Sequence, residues 1–335
     1  MYETFFGLTA KPFQLNPDPA FFYGSRGHKR AFAYLQYGVH QSEGFIIITG
    51  EVGAGKTTLV RSLLEQIDPS RLVAAQLVTT QLDAEDLLRA VAMAFGFSTR
   101  AMDKAQLLGE LEAFLISLVP QGKRALLIVD EAQNLSGRAI EELRMLSNFQ
   151  LGNQGLLQSF LIGQPQLRQL MQGPELQQLR QRVTASYHLG PMDRAETQAY
   201  VEHRLRHVGW GNDPRFEPGA FDAIYSFSAG IPRRINTLCN RVLLAAMLSE
   251  EHIITAANVD ATADEIRLEL SAGSTATGTG SAPGPDARAF GDGDPAIGLE
   301  ERVVRLERAM TATLDLLQQM RRSPAPTRPP DQVKG

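Results

Sequence analysis

The stretch that decides the fold of this chain is Gly50-Glu51-Val52-Gly53-Ala54-Gly55-Lys56-Thr57. It follows the apolar run Phe45–Thr49 and leads into Thr58–Leu64, which has the spacing of a helix. The stretch fits the pattern G-x-x-x-x-G-K-[ST] of a phosphate-binding loop. Its glycines let backbone N–H groups turn inward around an anion, and the positive end of the helix that begins near Lys56 adds to the attraction. The sequence therefore predicts a strand, a phosphate loop and a helix in direct succession.

Each residue type in such a loop has a defined chemical role. Lys56 reaches the β- and γ-phosphates of a nucleoside triphosphate, and the hydroxyl of Thr57 binds Mg²⁺. The other predicted binding residues surround the phosphates: Gly50, Glu51, Val52, Gly53, Ala54, Gly55 and Thr58. We therefore predict that the chain binds ATP and Mg²⁺. A glycine-rich turn without a ligand is the alternative, and the flanking strand and helix argue against it.

A second motif places two acids at the end of an apolar strand. The run Ala125–Val129 is typical of a strand buried on both faces, and Asp130 and Glu131 follow it directly. In open α/β sheets, ligands bind at the carboxyl ends of the strands. Asp130 is therefore the predicted Mg²⁺ ligand, and Glu131 is the predicted base that deprotonates the water attacking the γ-phosphate. A pair of solvated loop acids is the alternative.

Strands and helices alternate along this part of the chain. Leu72–Val78 and Leu156–Gly163 are further strand-length apolar runs, while Lys104–Leu118 has helical spacing and Asp83 precedes another helical pattern. Such alternation predicts an α/β fold with a parallel sheet flanked by helices. Gln164, which follows the strand Leu156–Gly163, would lie beside the acids and sense the γ-phosphate. An ordinary polar loop residue is the alternative.

Composition and charge limit the classes of function. The chain has 335 residues, 43% of them hydrophobic, which is enough for about two globular domains. Its net charge of −4 does not favour nucleic-acid binding through a global field. Cys239, the single cysteine, lies in an apolar helical stretch and is expected to be a buried thiol. No run reaches the roughly 18 apolar residues of a membrane helix and no signal peptide is recognisable, so we expect a cytoplasmic protein without direct membrane insertion.

The remaining chain divides into segments of different composition. Residues 1–24 are rich in aromatic residues and prolines and are expected to form an extended segment that contacts adenine or packs against the core. Residues 25–190 contain the predicted nucleotide-binding domain, and 191–268 contain four helical patterns. Residues 271–298 are rich in Gly, Ala, Ser, Thr and Pro and are predicted to be a flexible linker.

The last segments are one helical pattern and a tail. Residues 299–322 place apolar side chains at a and d spacing, which predicts an amphipathic or coiled-coil helix that self-associates or binds a partner. A solvated single helix is the alternative. The proline-rich residues 323–335 are predicted to be disordered.

Several motifs together resemble those of the AAA+ ATPases. Besides the phosphate loop, they are Asp130–Gln133, Phe160–Ile162, Leu179–Val183 and Gly230–Asn236. Within this family, residues 1–268 resemble the ExeA or general-secretion-pathway A type. The motifs for this are Phe6-Gly7-Leu8, Pro12-Phe13, Pro17-Asp18-Pro19, Asp130–Leu135 and Gly230–Asn236. The nearest resemblance is to the ATPase associated with exosortase and exopolysaccharide loci.

The resemblance implies further residue roles. Arg180 or Arg182 would be the arginine finger that reaches the γ-phosphate of a neighbouring subunit, and the sequence does not choose between them. Arg233 would be a second sensor, reaching the nucleotide from residues 191–268, which are called the lid below. Surface arginines are the alternative at these positions. Self-association into an oligomer and a membrane-anchored secretion or export partner are also implied.

The predicted function is an ATPase that drives a conformational change in an envelope secretion or exopolysaccharide-export system. Its expected location is the cytoplasm, at the inner membrane where a partner holds it. One alternative is a DNA-associated AAA+ regulator of the transposition or origin-recognition type, which a basic patch or a winged helix after the lid would favour. Another is a scaffold that binds ATP and hardly hydrolyses it.

Overall fold

A computed structural model of the protein describes residues 1–41, 43–78, 82–100 and 102–275. Its first seven strands are β1 (Gly44–Gly50), β2 (Leu72–Val78), β3 (Arg124–Asp130), β4 (Gln150–Leu151), β5 (Gln154–Gly155), β6 (Leu157–Gly163) and β7 (Val183–Leu189). Five of them form one parallel sheet in the order β2-β3-β6-β1-β7. The strands β4 and β5 form a separate antiparallel pair that the sequence pattern did not predict. The sheet confirms the predicted α/β class.

Helices lie on both faces of this sheet. They are α2 (Arg26–Gln41), α3 (Lys56–Gln66), α4 (Ala84–Ala94), α5 (Lys104–Leu118), α6 (Gly137–Leu146), α7 (Pro165–Gln172) and α8 (Gln177–Arg180), preceded by a short α1 (Tyr2–Phe5). Single 3₁₀ turns occur at Pro19–Phe21, Val119–Gln121, Ala132–Asn134 and Pro174–Leu176. The carboxylate of Asp83 caps α4 by accepting the N–H groups of Glu85 and Asp86, which satisfies donors that have no partner within the helix.

Alternate side chains of the strands enter two different cores. Ile47 packs in the core that includes Leu88 of α4, whereas Ile46 packs with Leu35 of α2 on the opposite face. Helix α2 approaches the sheet so closely at Gly38 that a Cβ there would lie 2.5 Å from the Cγ1 of Ile46. Only glycine permits this approach. The sheet is therefore covered by tightly packed helices on both faces.

Four more helices follow the sheet: α9 (Arg194–His207), α10 (Pro218–Ser228), α11 (Pro232–Leu248) and α12 (Ala256–Thr275). The strands β8 (Arg215–Phe216) and β9 (Ile253–Ile254) pair in parallel, so the lid is helical except for this one short pair. Helix α12 includes residues 271–275, so the beginning of the predicted linker 271–298 is helical. The rest of that linker, the predicted helix 299–322 and the predicted tail 323–335 lie outside the described residues. Among the helices of the described residues, none is both long and apolar enough to cross a membrane.

The N-terminal segment packs against the lid. Phe6, Phe13 and Phe21 are buried in the same core as Val201 and Leu238 of the lid helices. The segment was predicted to be extended, but part of it is helical. Helix α1 ends before Pro12, the first proline of the chain, so no proline interrupts it. Because its rings are buried with lid side chains, the segment and the lid share one core.

Candidate nucleotide-binding site

The phosphate loop connects β1 to α3 at the carboxyl edge of the sheet. Gly55 has φ +96°, a left-handed conformation that favours glycine, and α3 begins at the next residue. Lys56 is 6% exposed, and its ammonium group donates to the carbonyl oxygens of Gly50 and Glu51 over 2.7 and 3.0 Å. Burial lowers the pKa of Lys56, and the nearby carboxylates of Glu131, Asp130 and Glu51 oppose that shift. The loop therefore encloses a cation that its own carbonyl groups hold.

The predicted magnesium ligands lie next to each other. The Thr57 hydroxyl donates to an Asp130 carboxylate oxygen over 2.8 Å, and the other carboxylate oxygen accepts the N–H of Glu131 over 2.9 Å. Asp130 is only 3% exposed. A hydroxyl and a carboxylate are oxygen donors of the kind that Mg²⁺ prefers, and Mg²⁺ commonly takes one or two protein ligands together with water and phosphates. The two side chains fit this ion.

Two amide side chains hold the carboxylate of Glu131. Its Oε2 accepts hydrogen bonds from Gln133 Nε2 over 2.6 Å and from Gln164 Nε2 over 3.1 Å. Gln133 Oε1 in turn accepts the backbone N–H of Gln164 over 2.9 Å. Glu131 itself has φ 54°, a left-handed conformation uncommon outside glycine. The structure thus places the predicted base and the predicted sensor Gln164 in one hydrogen-bonded group.

Gln133 is a site residue whose role sequence reasoning missed. The resemblance includes it in the motif Asp130–Gln133 and implies no function for it. The signal that could have found it is its position two residues after Glu131, in the turn that follows β3. A polar side chain there faces the same strand ends as the acids.

The lid closes the other side of the cleft. Arg233, near the start of α11, lines the cleft together with Lys56 and Glu131. Its backbone N–H donates to the carbonyl oxygen of Gly53 in the phosphate loop over 3.1 Å. The sensor role of Arg233 stays a prediction, and the residue lies at the cleft.

The N-terminal segment forms a further wall of the cleft. Residues 14–18 and 21–23 line it, and the guanidinium of Arg61 in α3 donates to the carbonyl oxygen of Pro17 over 2.7 Å. The segment therefore connects the lid core to the helix that follows the phosphate loop. The segment packs in a core, as one of its two alternatives predicted, and its contact with adenine stays a prediction.

Arg204 is a buried cation of the cleft that the sequence pattern did not single out. It is 6% exposed and donates to the carbonyl oxygen of Pro12 over 2.5 Å and to the Tyr200 hydroxyl over 2.9 Å. Its guanidinium also lies 4.7 Å from the ring centre of Phe21. These contacts attach the N-terminal segment to α9.

The two candidate finger arginines lie far from the chain's own phosphate loop. In the sheet, Val183 at the start of β7 pairs with Phe45, while Leu189 at its end pairs with Gly50. Arg182 precedes β7, so the length of the strand, about 20 Å, separates it from the loop. It donates to the carbonyl oxygen of Ser147 over 3.0 Å.

Arg180 is held near the same edge of the sheet. Its guanidinium donates to the carbonyl oxygens of Met171 and Gly173 at the end of α7, both over 2.7 Å. Neither arginine can therefore complete the chain's own cleft in this arrangement.

Cys239 lies in α11 and not among the residues that line the cleft. Its side chain is fully buried in the lid core, and burial raises the pKa of the thiol well above its usual range. A thiol held in its protonated form is a poor nucleophile, in agreement with the predicted buried role.

Comparisons with known proteins identify the sheet and the loop. Residues 39–171 match the family model described as an AAA domain. Over 267 residues the chain is 40% identical to general secretion pathway protein A of Aeromonas hydrophila, a match covering 79% of this chain and 48% of that protein. The chain thus spans about half the length of this relative.

Solved structures share the fold at low identity. The ORC2 protein of Aeropyrum pernix matches with a TM-score of 0.59 and 18% identity, over 76% of this chain and 71% of that one. Drosophila ORC bound to DNA matches with a TM-score of 0.55 and 17% identity, over 74% and 62%. The parallel sheet, the phosphate loop and the helical C-terminal part therefore form the P-loop AAA fold, and the sequence is similar to general secretion pathway protein A.

Proposed function

We propose that the protein is a Mg²⁺-dependent ATPase. The observation that carries this proposal is the short distance of 2.8 Å between the Thr57 hydroxyl and the Asp130 carboxylate, at the edge of the sheet where Lys56 is buried and Glu131 begins its turn. Three functions meet there: an ammonium group for phosphate oxygens, two oxygen ligands for a hard cation, and a carboxylate that can accept a proton. Phosphoryl transfer needs all three in one place.

In this mechanism the residues position ATP and one water molecule. Lys56 exchanges the carbonyl oxygens of Gly50 and Glu51 for oxygens of the β- and γ-phosphates, which offer it a full negative charge. Thr57 and Asp130 would hold Mg²⁺, which would supply positive charge beside the phosphates. Glu131 accepts the proton of the attacking water.

Gln133 and Gln164 orient the carboxylate of Glu131 for that step, since each donates a hydrogen bond to its Oε2. Gln164 is in addition the proposed sensor of the γ-phosphate. These two amides therefore link the position of the base to the state of the nucleotide.

The site is completed by a neighbouring subunit in an oligomer. Arg182 lies about 20 Å from the chain's own loop and Arg180 is bound at the end of α7, so an arginine that stabilises the transition state must come from another chain. The two 2.7 Å bonds of Arg180 to carbonyl oxygens keep it within its own chain. Arg182 donates to Ser147 over the longer distances of 3.0 and 3.3 Å, so it is the less tightly held of the two and the better candidate for the finger.

The hydrolysis cycle drives an envelope secretion system, with the lid and Arg233 transmitting the nucleotide state. Support comes from the 40% identity to general secretion pathway protein A. A membrane-anchored partner would hold the protein at the cytoplasmic face of the inner membrane. An exosortase-associated or exopolysaccharide-export system is the narrower assignment, and the genes that flank this one test it.

The alternative of a DNA-associated AAA+ regulator receives less support. The two origin-recognition structures are 18% and 17% identical to this chain in sequence. Identity that low supports a shared fold and no shared function. Binding of DNA with a steep dependence on salt concentration would favour this alternative.

Two substitutions test the proposed ATPase. Lys56→Ala should abolish detectable binding of MgATP, and unchanged affinity would exclude the phosphate-loop interpretation. Glu131→Gln should keep binding and lower the steady-state turnover by about 100-fold or more. The exposed Glu112→Gln in α5 is the matched control and should keep full turnover. If Glu131→Gln also keeps full turnover, Glu131 is not the base; if the native protein itself binds MgATP without turnover, it is a scaffold.

A further inference from the structure

His28 lies on the first turn of α2 and is buried against the phosphate loop. It is 5% exposed, and a Cβ on Gly55 would lie only 2.8 Å from its Nε2. His28 has no part in the proposed hydrolysis. Buried polar side chains are usually held by specific partners, and His28 has one on each ring nitrogen.

The hydrogen bonds of His28 define which ring nitrogen carries the proton. Its Nε2 lies 3.0 Å from the carbonyl oxygen of Ala54, which can only accept, so Nε2 must be the donor. Its Nδ1 lies 2.7 Å from Ser25 Oγ, and that oxygen accepts the backbone N–H of His28 over 3.3 Å. The Ser25 hydroxyl can therefore direct its own proton to Nδ1. This arrangement selects the neutral Nε2–H tautomer.

The bond to Ala54 affects the loop through the geometry of the peptide group. In a planar trans peptide, the carbonyl of one residue and the N–H of the next point in opposite directions. If His28 holds the carbonyl oxygen of Ala54 on the side of α2, the N–H of Gly55 must point to the opposite side. In a phosphate loop, N–H groups that point inward are the anion ligands.

We propose that His28, held by Ser25, is a positioning residue that orients the Ala54–Gly55 peptide for binding the phosphate chain of a nucleoside di- or triphosphate. The inference rests on the proposed nucleotide binding. It assigns His28 to the phosphate end of the ligand and not to its base, although His28 also lines the cleft.

The test compares two ligands on full-length variants by calorimetric titration. MgATP carries a base and phosphates, whereas magnesium tripolyphosphate carries phosphates alone. His28→Asn places its amide donor near the position of Nδ1, and His28→Gln places it near the position of Nε2. We expect His28→Asn to weaken both ligands by about 10-fold, because a buried carbonyl loses its donor, and His28→Gln to recover most of that loss.

Several results would overturn the inference. One is a loss of MgATP affinity in His28→Asn with tripolyphosphate affinity unchanged, which would place His28 at the base. Equal affinities for His28→Asn and His28→Gln would be another. Ser25→Ala leaves the ring in place and should weaken both ligands by about 3-fold, so native affinity in this variant would also contradict the proposed arrangement. If the native protein binds neither ligand, the proposed function fails, and that result differs from every outcome above.

Discussion

The backbone N–H of Arg233 donates to the carbonyl oxygen of Gly53 over 3.1 Å, so the lid contacts the phosphate loop through a peptide group. The next carbonyl of the loop, that of Ala54, is held by His28 of α2. Two successive carbonyl groups of the loop are therefore bound from outside it, one by the lid and one by the domain of the sheet. A shift of the Gly53 carbonyl on nucleotide binding would change its contact with Arg233, which gives the lid a direct way to respond.

Gly53→Ala should separate the lid from the loop. A Cβ on Gly53 would lie 2.3 Å from the Cβ of Arg233, and its φ of +80° is unfavourable for alanine. We expect the affinity for MgATP to fall by about 10-fold or more, because left-handed strain costs about 1–3 kcal/mol and the clash adds to it. Titration calorimetry measures this. Gly109→Ala in α5 is the control, since no atom lies within 4 Å of the added Cβ, and equal affinity in both variants would contradict the prediction.

Gln133→Leu should lower turnover and leave binding almost unchanged. The substitution removes the 2.6 Å donor to Glu131 and the acceptor for the N–H of Gln164, while the phosphate loop keeps its contacts. We expect kcat to fall by about 10-fold to 100-fold with KM within about 3-fold of the native value. Steady-state ATPase kinetics decide this. Gln177→Leu, at an exposed position of α8, should change neither constant. A rise in KM without a fall in kcat would assign Gln133 to ground-state binding.

Arg182→Ala and Lys56→Ala should each be inactive alone and should restore ATP hydrolysis when they are mixed. Arg182→Ala retains its own phosphate loop and Lys56→Ala retains its own Arg182, so mixed oligomers contain some complete sites. We expect the mixture to hydrolyse ATP faster than either variant, and native turnover per subunit to rise with protein concentration. A mixture of Arg180→Ala with Lys56→Ala, measured in the same way, is the comparison.

Arg180→Ala should mainly lower stability, because it removes two bonds to carbonyl oxygens. If ATP hydrolysis is restored in the mixture with Arg180→Ala and not in the mixture with Arg182→Ala, then Arg180 is the finger and Arg182 is not. If neither mixture is active, a site shared between subunits is excluded.

The stability of the protein should fall as the pH drops below about 6.5. Burial lowers the pKa of His28, against the effect of its bond to Ala54, and burial together with the positive charge of His207 and Arg204 lowers the pKa of His203. Histidine in an unfolded chain titrates near pH 6.5, so between the folded pKa values and pH 6.5 the unfolded state binds more protons. The contribution of the neutral rings is complete above pH 6.5 and is lost as the pH falls through the folded pKa values.

Urea unfolding at pH 7.5, 6.5 and 5.5 measures this dependence. The double variant His28→Gln and His203→Gln should lose less stability between pH 7.5 and 5.5 than the native protein. His40→Gln is the control at another helix position and should retain the native slope. An identical slope in the double variant would show that other groups cause the pH dependence.

Local signals predicted most of the sheet and the phosphate end of the site. The strand Leu72–Val78 and the helix Lys104–Leu118 have the predicted bounds, because apolar periodicity reports which face of an element is buried. The loop at 50–57 and the acids at 130 and 131 were recognised because phosphate and Mg²⁺ chemistry demands particular residues at fixed spacing. Helix α7 was missed since its eight residues are too few for a clear period.

By itself, then, the sequence determined the parallel sheet, the phosphate loop and the two acids, all of which are encoded within short stretches. Only the tertiary structure decided that Gln133 and Gln164 hold Glu131, that His28 contacts Ala54, and that Arg204 attaches the N-terminal segment to α9. Contacts such as that of Arg204 with Pro12, 192 residues apart, leave no periodic trace in the chain. They form because buried polar groups require partners, and the packing of the whole fold decides which partners are within reach.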